Sequence, residues 1–165
     1  MMKMKRKYFW KLEPQKLIFR SEILTYPLIL KFLKYAISNQ KSIKILDAGC
    51  GTGKLTRRIF ALLKNLKVYG IDKSKEAINL AKQRSAKINY EQGDITKLSK
   101  TYRKNFFEII ISTFTTLYLN SNELHKFFSE AYKVLKKNGL IIICDVHPFL
   151  PVIQPKTRWE EWNLK

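Results

Sequence analysis

The segment Leu46-Asp47-Ala48-Gly49-Cys50-Gly51-Thr52-Gly53-Lys54 constrains this chain more than any other. An apolar run at residues 43–46 leads into it, and Leu55, Ile59, Leu62, Leu63 and Leu66 follow at helical spacing. It therefore reads as a buried strand, a glycine turn and an amphipathic helix. Alternating glycines let the backbone take positive φ and let a ligand approach where a Cβ would block it. The helix that follows would turn its free N–H groups and positive dipole end into the same crevice, where a carboxylate could be held.

The strand–helix unit recurs along the chain. Residues 68–71 form a second strand, Ala77, Ile78, Leu80 and Ala81 mark a helix, and residues 88–91 begin a third strand. Residues 106–112 are a continuous apolar strand, Leu124, Phe127, Phe128, Ala131, Tyr132 and Leu135 line one helix face, and residues 140–146 close the series. That helix has Asn120 or Ser121 with Glu123 as its starting signal, and Lys136, Lys137 and Gly139 at its end. Parallel strands joined by helical crossovers give an α/β, doubly wound, Rossmann-like sheet. Upstream, Leu28, Leu30, Phe32, Leu33, Ala36 and Ile37 suggest a helix after Pro27, preceded by a lead containing Tyr8, Phe9 and Trp10. This lead, residues 1–42, either covers one end of the sheet or forms a lid over a pocket.

Bulk properties narrow the classes. At 165 residues one core suffices without disulfides or metals. No apolar run approaches the ~20 residues needed to cross a bilayer, and the basic start lacks the apolar segment of a secretory signal, so a cytoplasmic protein with no membrane partner is expected. Cys50 and Cys144 have no second Cys or His at metal-ligand spacing, so no metal is expected and both read as free thiols. The net charge of +19 raises the idea of a nucleic-acid partner. Lysines scattered along the chain, with abundant Ile, Asn, Tyr and Phe, favour coding bias instead, although Lys3, Lys5, Arg6, Lys7 and Lys11 form an arm that could touch RNA.

The two better-known glycine loops do not fit. A dinucleotide G-x-G-x-x-G begun at Gly49 would need glycine at Lys54, and a Walker A loop ending at Gly53-Lys54 would need glycine at Ala48 and Ser or Thr at Leu55. The segment resembles the first motif of the class I S-adenosylmethionine-dependent methyltransferases, an acidic residue followed by G-x-G-x-G. Val68-Tyr69-Gly70-Ile71-Asp72-Lys73-Ser74, Gly93-Asp94-Ile95, Phe107-Glu108-Ile109-Ile110-Ile111-Ser112 and Val134-Leu135-Lys136-Lys137-Asn138-Gly139-Leu140 extend the resemblance in order.

The resemblance implies strand order 3-2-1-4-5, a core over residues 43–149, and S-adenosyl-L-methionine as cofactor. It places Asp72 on the ribose hydroxyls, Asp94 near the adenine amine and Ile95 against the ring. Asp47, Gly49, Gly51, Gly53, Lys73 and Thr113 complete the implied cofactor set. Structural readings stand beside these roles: the glycines as a tight turn only, Asp47 as a helix cap, Asp94 as an N-cap.

The implied reaction is in-line methyl transfer, which positioning alone can drive, so the absence of an evident base is compatible with it. Ser112-Thr113-Phe114-Thr115 departs from the Asn/Asp-Pro-Pro-aromatic motif of the adenine and glutamine N-methyltransferases, disfavouring that chemistry. Tyr118 and His147 are the catalytic candidates, His147 serving either as a general base or as a plain loop residue before Pro148. A His-Pro pair after the fifth strand resembles some small-molecule methyltransferases. The tail, residues 150–165, shows nothing like the usual C-terminal strand pair. A truncated cofactor- or partner-binding domain is therefore the alternative, self-association or a partner is expected at the fifth-strand edge, and RNA methylation is a third reading.

Overall fold

The strand β1 (Ile43–Ala48) is apolar on both faces. Ile43 and Ile45 face one layer of core, Leu46 and Ala48 the other, and all four are buried. Such a strand belongs inside a parallel sheet covered on both sides. The computed structural model describes residues 21–37, 42–62 and 66–145. Its further strands are β2 (Leu66–Asp72), β3 (Asn89–Gln92), β4 (Phe107–Thr113) and β5 (Leu135–Cys144). They form one sheet, ordered β3-β2-β1-β4-β5, with every pair parallel. The order reverses at β1, so the crevice beyond its C-terminal end is where ligands of open α/β sheets bind.

Helices α1 (Tyr26–Ala36), α2 (Lys54–Leu62), α3 (Lys75–Arg84) and α4 (Ser121–Val134) cover the two faces, with 3-10 turns at Ile95–Lys100 and Thr116–Tyr118. On one face Ile29 and Leu33 of α1 and Leu55 and Ile59 of α2 pack over Ile43, Ile45, Ile109 and Ile111. On the other, Phe127, Ala131 and Val134 of α4 join Leu98, Tyr102, Phe107 and Ile110. Phe127 and Leu33 are wholly buried, and truncating either to Ala should cost roughly 2–5 kcal/mol through lost transfer energy and the cavity left behind.

Several local expectations are corrected. Leu66 does not continue the helix from Leu55: α2 ends at Leu62, and Leu66 opens β2, where pairing with Ile43 buries it. Asn120 caps α4 through the expected reciprocal bonds with Glu123. The far end differs. Lys136, Lys137 and Gly139 lie beyond the helix, which stops at Val134 in an extended Leu135, and the residue with positive φ is Asn138 (φ 61°). Glycine is needed at 139 for space, since a Cβ there would lie 2.6 Å from Leu135 Cγ. The buried stripe of α4 is Phe127, Glu130, Ala131 and Val134, with Phe128 and Tyr132 exposed. Glu130 is tolerated inside because it accepts bonds from Ser99 N–H (2.8 Å) and Oγ (2.6 Å) and from Lys133 Nζ (2.6 Å). β5 pairs with β4 as far as Cys144 rather than residue 146. The lead with Tyr8, Phe9 and Trp10, the tail 150–165 with its expected lack of a strand pair, and His147 all lie outside the described residues.

Candidate active site

The glycine turn after β1 is held from below by β2. Gly49 and Cys50 both donate their N–H to the Ile71 carbonyl, at 2.8 and 3.0 Å, and Gly53 donates to Cys50 O at 2.9 Å. Gly49, Gly51 and Gly53 have φ of 85°, 53° and 73°, the left-handed region that glycine takes without steric cost. Two of them are also needed for close packing. A Cβ at Gly49 would sit 2.2 Å from Thr115 Oγ1, and one at Gly53 2.3 Å from the Tyr90 hydroxyl. At Gly51, apart from its chain neighbours, no atom of the described residues lies within 4 Å of where a Cβ would stand, so its backbone borders open space.

Asp72 closes β2 beside that space. Its Oδ2 accepts the Gly51 N–H at 2.7 Å and its Oδ1 the Ser74 N–H at 2.9 Å. Each oxygen keeps a second lone pair, so the carboxylate is held in place while still able to accept from a ligand. Asp47, one strand over, is nearly sealed from solvent. Thr56 Oγ1 donates to its Oδ2 at 2.6 Å, and its Oδ1 has no hydrogen-bond partner among the described residues. Burial pushes this carboxyl up to about 7, the Thr56 bond opposing and the Asp72 charge assisting. Cys50 is buried too, and burial with the Asp47 and Asp72 charges drives its thiol far above the ordinary range, leaving it protonated.

The other predicted site residues lie at or just beyond the C-terminal ends of β2, β3 and β4. Asp94 caps the Ile95–Lys100 turn, accepting from Thr96 N–H at 2.9 Å and Thr96 Oγ1 at 2.7 Å, with Lys97 at 3.9 Å. Ile95 is buried with Leu46, Ala48 and Ile71. Lys73 is exposed next to Asp72, and its carbonyl accepts from Gln92 Nε2 at 3.4 Å. Thr113 ends β4, its carbonyl accepting from Thr115 Oγ1 at 3.0 Å. Tyr118 stands on the Thr116–Tyr118 turn, and burial together with the Asp145 charge raises its hydroxyl to about 12, making it a donor and not a base near neutral pH.

Three residues here are not among the predicted site residues, although the segment opening with Asp145 reads as lying on the ligand-binding edge. Phe114 adopts φ 52°, uncommon for an aromatic residue, and its N–H bonds the Cys144 carbonyl at 2.8 Å, tying the end of β4 to β5. The strained turn carries Thr115 onto Gly49. Asp145 follows β5 and accepts from Thr116 Oγ1, while its Oδ1 is buried with no hydrogen-bond partner among the described residues and burial raises its carboxyl. Its signal was available: a carboxylate just past the C-terminal end of a parallel strand, much as Asp72 ends β2.

A model of the methyltransferase domain matches residues 39–164 of this chain. The chain belongs to the class I S-adenosylmethionine-dependent methyltransferase family. It is 33% identical over 128 residues to the ubiquinone biosynthesis O-methyltransferase of Pelagibacter ubique, covering 74% of this chain and 50% of that protein. It is 32% identical over 116 residues to the malonyl-acyl-carrier protein O-methyltransferase of Bacillus cytotoxicus, covering 69% and 39%. A crystal structure of a Pyrococcus horikoshii protein superposes with TM-score 0.68 at 26% identity, over 84% of this chain and 58% of that one. The chain thus spans half or less of the length of these two curated relatives.

Proposed function

We propose that this methyltransferase domain binds S-adenosyl-L-methionine in the crevice beyond β1, β2 and β4 and that the protein transfers its methyl group to a small-molecule acceptor. The observation that carries the reading is Asp72, fixed by the Gly51 and Ser74 N–H groups beside the open flank of Gly51. The residues fit the cofactor. A Cβ at Gly51 would fill the open space, and the buried Asp47 Oδ1 lacks the donor that an ammonium would supply.

In this reading Asp72 accepts from the ribose hydroxyls and Asp47 from the amino-acid ammonium. Lys73, Asp94, Ile95 and Thr113 border the nucleoside. When bound, the sulfonium supplies an activated methyl group. Tyr118 would donate a hydrogen bond toward the acceptor, and Asp145, with its free oxygen, would take one from the acceptor's own O–H or N–H. Placement supplies most of the rate in such a site. The free Cys50 and Cys144 favour a reducing, cytoplasmic setting, and the two relatives are named for O-methylation in ubiquinone biosynthesis and of malonyl-acyl-carrier protein.

The test is methyl transfer from methyl-tritiated S-adenosylmethionine to a metabolite extract and, separately, to RNA. Label in the metabolite fraction that is lost in Asp72→Asn is expected. Label in RNA alone would move the reading to a nucleic-acid acceptor.

A further inference from the structure

Helix α1 is apolar on two sides, although the sheet needs only one. Ile29 and Leu33 are buried against the core. On the other side Leu28 and Phe32 are 68% and 47% exposed, and Leu24, in the turn just before the helix, is 62% exposed, so the row repeats every fourth residue. Single exposed apolar residues are ordinary, whereas a row of them on a helix marks a surface that something covers. The polar residues beside the row, Lys31 and Lys34, are exposed, and α1 contains no acidic residue. The same bias runs through the segment leading to it: residues 1–25 hold seven Lys and Arg against two Glu.

Three kinds of occupant compete for this surface. A second copy would bring the lysines of two chains, each of net charge +19, face to face. A nucleic acid would use the cations and gain nothing from Leu24, Leu28 and Phe32. An anionic bilayer uses both, because apolar side chains enter the acyl boundary while lysines remain among the headgroups.

We propose that α1 is a docking surface for an anionic lipid bilayer, with Leu24, Leu28 and Phe32 inserted and Lys31 and Lys34 on the headgroups. The helix lies in the plane of the interface, since among the described residues no helix is long and apolar enough to cross a membrane. This differs from the sequence expectation of no membrane partner, which rested on the lack of an unbroken apolar run. A surface contact needs only one apolar row. The proposal is independent of the methyl-transfer reading.

The experiment is co-sedimentation of the full chain with vesicles of phosphatidylcholine mixed with phosphatidylglycerol, and with vesicles of phosphatidylcholine alone. Binding to the mixed vesicles should be at least about tenfold tighter than to the neutral ones and should weaken with salt. The combined variant Leu24→Glu, Leu28→Glu and Phe32→Glu should lose roughly tenfold or more in binding with an unchanged circular dichroism spectrum, because these positions are exposed. Should that variant misfold, Lys31→Glu with Lys34→Glu should weaken binding in the same direction. No sedimentation with the mixed vesicles, or equal sedimentation of the folded variants, overturns the proposal. So does a dimer in light scattering, or an RNA gel shift, that the apolar variants abolish while the parent ignores vesicles.

Discussion

Replacing Asp47 with Asn should remove a loss of stability that grows with pH in the ligand-free protein while disabling its site. The buried carboxyl is pushed from an ordinary 3.8 up to about 7, chiefly because burial penalises the charged form. The folded state therefore holds this proton more tightly than the unfolded chain does. Its stabilising effect is complete below pH 4 and is lost as pH rises toward and through 7. Between pH 5 and pH 8 that linkage amounts to about 2–3 kcal/mol of lost stability, a large part of what a domain this size possesses. Asparagine cannot ionise and keeps an oxygen for the Thr56 hydroxyl, so the variant lacks this loss. Its amide brings N–H donors where Oδ1 stood, a cost that does not vary with pH. Urea denaturation of parent and variant at pH 5 and pH 8 separates the two effects: the difference in unfolding free energy should move in favour of the variant by about 2–3 kcal/mol between the two conditions. S-adenosylhomocysteine affinity at pH 8 should fall in the variant, since the anionic partner for the ammonium is gone. A stability difference constant across pH would refute the argument that Asp47 is held protonated by burial.

Asp72→Asn should weaken S-adenosylhomocysteine binding roughly tenfold or more, measured calorimetrically, because an amide retains one acceptor oxygen of two and turns a donor toward the ribose. Gly51→Ala should leave the fold intact by circular dichroism at a stability cost of about 1–2 kcal/mol, from a side chain at φ 53°, yet lose binding where the methyl group enters the open space. Glu130→Ala should cost about 2–4 kcal/mol in urea titrations, since it leaves the Ser99 N–H and hydroxyl and Lys133 without their acceptor. Glu130 is held at about 2, its bonds from Lys133 and Ser99 overcoming a burial effect that opposes them, so stability from this group is present above the ordinary carboxylate range and is lost as pH falls toward 2.

The parts of the fold that were legible in the sequence are those fixed by short-range patterns. Runs such as residues 108–112 and the reciprocal Asn120 and Glu123 cap are local, parallel pairing followed from the alternation of strands with helices, and the strand order came from the family resemblance. Ends decided by tertiary contacts were not legible. Leu66 kept helical phase with Leu62 but is claimed by pairing with Ile43, and the space beside Leu135, not a left-handed backbone, requires Gly139. Helical spacing placed Phe128 and Tyr132 on the buried face of α4 because it could not see that Glu130 would take a place there once Ser99 came within reach. At the site, the glycines and Asp72 stand out because their types and spacing are unusual. The Phe114 turn and the partnerless Asp145 oxygen do not, because each depends on how β4 and β5 end beside one another.

The central claim is that the crevice at Gly51 and Asp72 takes S-adenosylmethionine. Calorimetric titration of the full chain with S-adenosylhomocysteine, alongside Asp72→Asn and Gly51→Ala, tests it most directly. Saturable binding at one site per chain is expected, with heat sharply reduced in both folded variants. Absence of binding to the parent, or binding that neither substitution alters, would contradict it.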